Sequence, residues 1–68
     1  MEIKISLAAA RVNANMTQEQ AANAVKVNKT TIINWEKGKT RIPFSALKDL
    51  CELYNFPIEN IFLPKTST

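Results

Sequence analysis

The chain has 68 residues, 46% of them hydrophobic, with nine Lys and Arg against six Asp and Glu, one cysteine and no histidine. That length makes one small domain, and a lone Cys51 without histidine excludes an internal disulfide, the usual Cys/His metal sites and His-based catalysis. Stability must come from helix packing or from a partner subunit, and no run approaches the roughly 20 apolar residues of a membrane span.

Met1-Glu2-Ile3-Lys4-Ile5 lacks the apolar core and cleavage site of a signal peptide, so a reduced, cytoplasmic setting is expected. Ile3 and Ile5 form either a short extended arm or an apolar lead-in to the first helix. Ser6 can cap that helix over residues 7–14, with Leu7, Ala10 or Arg11, and Ala14 on one face and Asn15 as a left-handed terminator. Thr17-Gln18-Glu19-Gln20 is a capping box, which predicts a second helix over 18–24 with Ala21, Ala22 and Val25 turned inward. Asn28 supplies the next N-cap and opens a helix over 29–37, whose apolar positions are Ile32 and Trp35. Gly38 follows where a glycine belongs after a helix.

Residues 39–43 read as a loop, because Pro43 restricts Ile42 to extended geometry. Ser45 is placed to cap a fourth helix over 46–54, where Leu47, Leu50, Cys51 and Tyr54 form an amphipathic stripe. Pro57 starts a last short helix in which Ile58, Ile61 and Phe62 repeat the spacing. Pro64 and the polar Lys65-Thr66-Ser67-Thr68 end the domain.

Charge is distributed unevenly. Residues 1–25 balance, residues 42–68 carry a net −1, and residues 26–41 hold Lys26, Lys29, Lys37, Lys39 and Arg41 against Glu36 alone. A polyanion suits that concentration. The short helices 18–24 and 29–37 are joined by about four residues, a link that suits a steep crossing better than an antiparallel hairpin. Ala21 and Ala22 allow close approach under Ile32 and Trp35. The opposite face of the second of these helices then carries Lys29, Thr30, Ile33, Asn34 and Lys37, a mixture of amide, ammonium and methyl groups that base edges in a major groove can pair with.

Thr17-Gln18-Glu19-Gln20-Ala21-Ala22, Val27-Asn28, Thr31-Ile32 and Asn34-Trp35-Glu36-Lys37-Gly38-Lys39 together resemble the helix-turn-helix of the phage repressor and Cro class, also called the xenobiotic response element (XRE) type. The resemblance covers residues 7–63. It implies an all-α, compact five-helix bundle of the lambda-repressor-like type, with residues 1–68 as one domain and an ordered core over about 6–63. The implied function is sequence-specific binding of double-stranded DNA by a repressor-like regulator of phage or bacterial origin, with helix 29–37 in the major groove. Gln18 matches a backbone contact; Asn28, Lys29, Thr30 and Asn34 match positions that face bases or adjoining phosphates; Lys39 and Arg41 lie in a loop that touches backbone. Ala22 matches the small residue at the crossing, Ile32 and Trp35 match core positions, and Arg11 and Glu36 match a pair that forms a salt bridge in relatives. Lys26 departs from the family, which usually has glycine there.

A homodimer through the C-terminal helix, using Ile58, Ile61, Phe62 and Leu63, is the further partner expected, unless those side chains close the core instead. The rival reading is a protein-interaction module on the same fold without DNA binding. No enzyme activity, cofactor, metal or small-molecule substrate is expected, since no histidine, carboxylate pair in a cleft or phosphate loop is present.

Overall fold

The computed structural model describes residues 3–64. Its elements are α1 (Leu7–Asn13), α2 (Gln18–Val25), α3 (Lys29–Lys37), α4 (Phe44–Tyr54) and a single 3₁₀ turn, Ile58–Asn60. The polar segment Lys65-Thr66-Ser67-Thr68 lies outside the described residues.

The first two helices start on side-chain caps. The Ala9 amide donates to Ser6 Oγ at 3.1 Å. The Gln20 amide donates to Thr17 Oγ1 at 3.0 Å, and the Thr17 amide donates to Gln20 Oε1 at 2.9 Å, which completes the capping box. Asn28 occupies the N-cap position of α3, yet its side chain makes no capping hydrogen bond. Its carbonyl does that work, accepting from the amides of Thr31 and Ile32 at 3.0 and 3.3 Å, and the carboxamide is left exposed to solvent.

Two expectations are corrected. The helix expected over 46–54 with a Ser45 cap begins two residues earlier, at Phe44, after Pro43 as N-cap. The Pro43 carbonyl already accepts from the Leu47 amide at 3.0 Å, which puts Ser45 inside the first turn; Phe44 and Ser45 are exposed, so water can serve the orphan amides without a side-chain cap. The fifth helix of the expected bundle is one 3₁₀ turn only. Beyond it the chain turns extended at Ile61, because its hydrogen bonds are diverted to the amino end. Ile5 forms a parallel bridge with Ile61, with the Ile5 amide donating to Asn60 O at 2.9 Å and the Phe62 amide donating to Ile5 O at 3.0 Å. Ile5 is thus half-buried and tied down, while Ile3 is exposed.

All four helices end in the same way. Asn15, Lys26, Gly38 and Asn55 take the left-handed conformation. The next residue in each case returns its amide five positions: Met16 to Arg11, Val27 to Ala22, Lys39 to Asn34 and Phe56 to Cys51, at 2.9–3.2 Å. These are Schellman closures, and Met16, Val27 and Phe56 add the apolar contact that accompanies them by packing on the core. Lys26, at φ 63°, is the member of the set whose side chain gives it no local compensation for the left-handed region. Lys26→Gly is therefore expected to stabilise the domain by about 1 kcal/mol, raising Tm by roughly 4–8 °C. A thermal melt checks it, and an unchanged Tm would show the turn to be unstrained.

The core consists of Leu7 and Ala10 of α1, Ala21 and Ala22 of α2, Ile32 and Trp35 of α3, Ile42 of the loop, Leu50, Cys51 and Tyr54 of α4, and Ile61. Ala21 and Ala22 are 0% and 1% exposed, so the α2–α3 crossing is close enough to need methyl side chains there. α4 lies across α1 and α2 and supports them from behind. The Cys51 thiol is buried, and burial pushes its pKa up, which leaves it an unreactive apolar filler. Among the described residues no helix is long and apolar enough to cross a membrane.

Candidate nucleic-acid interface

Helix α3 is amphipathic in a way that separates packing from presentation. Ile32 and Trp35 are buried. Lys29, Thr30 and Lys37 are exposed, with Ile33 and Asn34 half-buried between them. At about 100° per residue these five positions lie within an arc of about 140°, opposite the two core residues. Asn28 is exposed at the start of the helix, and Lys39, Thr40 and Arg41 are exposed in the loop after it. The loop is directed by Gly38, which is buried and sits at φ 77°, a position where a Cβ would be disfavoured.

A polar cluster fixes how α3 stands on the rest of the domain. Arg11 Nε of α1 donates to Glu36 Oε2 of α3 at 2.8 Å, and Arg11 Nη2 reaches Glu36 Oε1 at 3.5 Å. Arg11 Nη1 donates to the Met16 carbonyl at 2.8 Å, which pins the segment ahead of α2. Gln18 Nε2, in the first turn of α2, donates to Glu36 Oε1 at 3.0 Å. One carboxylate therefore gathers three helices. The Arg11 and Glu36 side chains are only 13% and 8% exposed, so the pair is largely withdrawn from water. Sequence reasoning placed Gln18 at the DNA backbone and missed its bond to Glu36; a contact across 18 residues leaves no local signal.

Tyr54 of α4 borders this cluster. Burial, then the negative charge of Glu36, raises its phenol from 10 to about 12, with Arg11 opposing and Cys51 adding slightly. A phenol harder to ionise folded than unfolded contributes stability that is complete below pH 10 and is lost as pH rises from 10 to 12. Tyr54→Phe is expected to remove that component, on the order of 1–2 kcal/mol once screening by water is allowed for. The readout is the difference between the two proteins' urea midpoints across about pH 9–12, since lysine deprotonation is common to both; parallel curves would contradict it.

The Arg11–Glu36 pair is the one ion pair among the described residues. Lys29, Lys37, Lys39 and Arg41 therefore keep their positive field toward solvent on and beside α3. Lys26 belongs elsewhere: it lines a cleft of about 490 Å³ between the end of α2 and α4, together with Asp49 and Glu52 and no residue of α3. Glu36, the single acid in residues 26–41, is turned inward to Arg11, so the exposed part of that segment is more basic than its formal charge.

The profile of the helix-turn-helix family matches residues 7–61. The chain is 33% identical over 61 residues to the HTH-type transcriptional activator BcrR of Enterococcus faecalis, a match covering 90% of this chain and 30% of that protein. It is 38% identical over 53 residues to a protein of Archaeoglobus fulgidus named "Uncharacterized HTH-type transcriptional regulator", covering 78% of this chain and 75% of that one. The chain thus spans under a third of the activator and three quarters of the archaeal relative. No solved structure gives a significant match.

Proposed function

The chain belongs to the helix-turn-helix family, in its XRE-type branch, and from that premise we propose that it is a transcription regulator that binds double-stranded DNA by sequence, with α3 in the major groove. The observation that carries this reading is the outward face of α3: Lys29, Thr30 and Lys37 stand exposed around Asn34 while Ile32 and Trp35 anchor the other side. Asn28, Lys29, Thr30 and Asn34 read base edges or adjoining phosphates. Gln18, Lys39 and Arg41 grip the backbone and set the register. Residues 6–63 act as one binding domain, in the cytoplasm of a phage-infected or bacterial cell.

One such module reads few base pairs, so two copies bind a near-palindromic operator with their reading helices about 34–36 Å apart. Of the C-terminal apolar residues, Ile61 is buried and Ile58 half-buried, and they serve the core; Phe62 and Leu63, 51% and 43% exposed, are the ones left for a second copy. The pairing surface is then the extended segment after the 3₁₀ turn rather than a helix. The resemblance implies repression, while one relative is named an activator. Promoter occlusion is the simpler mode, because it needs no contact beyond the operator, and we adopt it.

Selection of duplexes from a random pool tests the function directly. The expected result is one enriched consensus, bound with a steep salt dependence. Asn34→Ala is expected to relax base preference at one position of that consensus, at a cost of about 1–3 kcal/mol for the preferred base. Recovery of no consensus, with only weak binding to all duplexes, would count against sequence reading; no duplex binding at all would favour a protein-interaction role.

A further inference from the structure

We propose that Glu36, besides joining α1 to α3, is a positioning residue for DNA contact that acts through Gln18; this rests on the DNA-binding reading above. The Glu36 carboxylate has two oxygens and divides them. Oε2 takes the short bond from Arg11 Nε, at 2.8 Å, while Oε1 takes the bond from Gln18 Nε2, at 3.0 Å, with Arg11 Nη2 more distant at 3.5 Å. Gln18 is in the first turn of α2, and Glu36 is in the last turn of α3, two residues before Gly38 redirects the chain toward Lys39 and Arg41.

The helices themselves already pack through Ala21, Ala22, Ile32 and Trp35, so a link at their polar ends is not needed to hold the core together. What it determines is the conformation of the Gln18 side chain. Free on a helix surface, that side chain would sample several rotamers, and holding it carries an entropic cost at the moment of binding. Held by Oε1, one N–H of the carboxamide is committed and the other N–H and the carbonyl are fixed in direction before DNA arrives. Arg11 in turn keeps the carboxylate from rotating away, because its Nη1 is tied to the Met16 carbonyl at 2.8 Å, directly before the Thr17 cap. The relay therefore fixes a backbone contact on α2 relative to the reading face of α3.

A double-mutant cycle on duplex affinity tests this, using Gln18→Ala, Glu36→Gln and the two combined, each checked by circular dichroism for a folded domain. The expected result is that Glu36→Gln weakens binding to the selected duplex roughly five- to tenfold when Gln18 is present and less than about twofold in the Gln18→Ala background, the non-additivity of two residues in one network. Equal losses in both backgrounds, or none in either, would overturn the positioning role and leave DNA binding intact. Failure of the unaltered chain to bind any duplex would overturn both. Should Glu36→Gln unfold, Glu36→Asp replaces it in the same cycle, since it keeps a charge for Arg11 while shortening the reach to Gln18.

Discussion

Arg11→Ala is expected to lower the stability of the domain by about 3 kcal/mol. The reason is what it leaves behind. The Glu36 side chain is 8% exposed, and without the guanidinium its carboxylate retains one neutral donor, Gln18, in a site largely shielded from water. Removing one partner of a buried pair costs more than the pair contributes, because an uncompensated charge remains. The Met16 carbonyl loses its donor as well. A domain of this length has a total stability of roughly 3–10 kcal/mol, so the loss is about a third of it or more.

Urea titration of Arg11→Ala measures the loss. The companion variant Arg11→Met with Glu36→Leu removes both charges and fills the space with apolar groups, and it is expected to recover most of the stability while losing the link to Gln18. A cost below about 1 kcal/mol for Arg11→Ala would place this pair with exposed, screened ion pairs instead. The comparison separates two things one carboxylate does here: neutralising a buried cation and orienting a side chain.

What was legible in the sequence follows the range of the interactions. Thr17 with Gln20, Ser6 with Ala9 and Gly38 after Lys37 act within a few residues, and each leaves a residue type at a fixed offset. The bounds of α3 agree with the capping and terminating residues for that reason. Lys26 shows the limit of such rules: the backbone takes the left-handed turn that glycine would favour, because the Schellman bonds to Ala22 and Asn23 and the packing of Val27 determine it. The pairing of Ile5 with Ile61 was not legible, since it joins the two ends of the fold and replaces an apolar helical spacing with one turn and an extended segment. Ser45 misled because a proline two residues earlier had already supplied a start. On the interface side, exposure along α3 follows from periodicity, whereas the Gln18–Glu36 bond depends on how α2 and α3 cross.

Reversing the two loop charges, Lys39→Glu with Arg41→Glu, is expected to weaken duplex binding about 100-fold at roughly 0.1 M salt for every sequence alike. Each phosphate contact contributes about 0.9 to the slope of log affinity against log salt, so losing two removes a factor of roughly 60 at that concentration, and the new carboxylates add repulsion. The slope itself should become shallower by about two. Lys39 and Arg41 are exposed and make no ion pair among the described residues, and the bond from the Lys39 amide to Asn34 uses backbone only. The fold should therefore keep its stability within about 0.5 kcal/mol, as for other surface substitutions. Titrations at several salt concentrations, on the selected duplex and on a random one, distinguish this from the Asn34 effect: reversal shifts both duplexes together, whereas loss of a base reader shifts one. A change under about twofold on both would show the loop to be merely solvated. The positive field beside α3 would then have to act through Lys29 and Lys37, which stand on the helix itself and so would carry register and base choice at once.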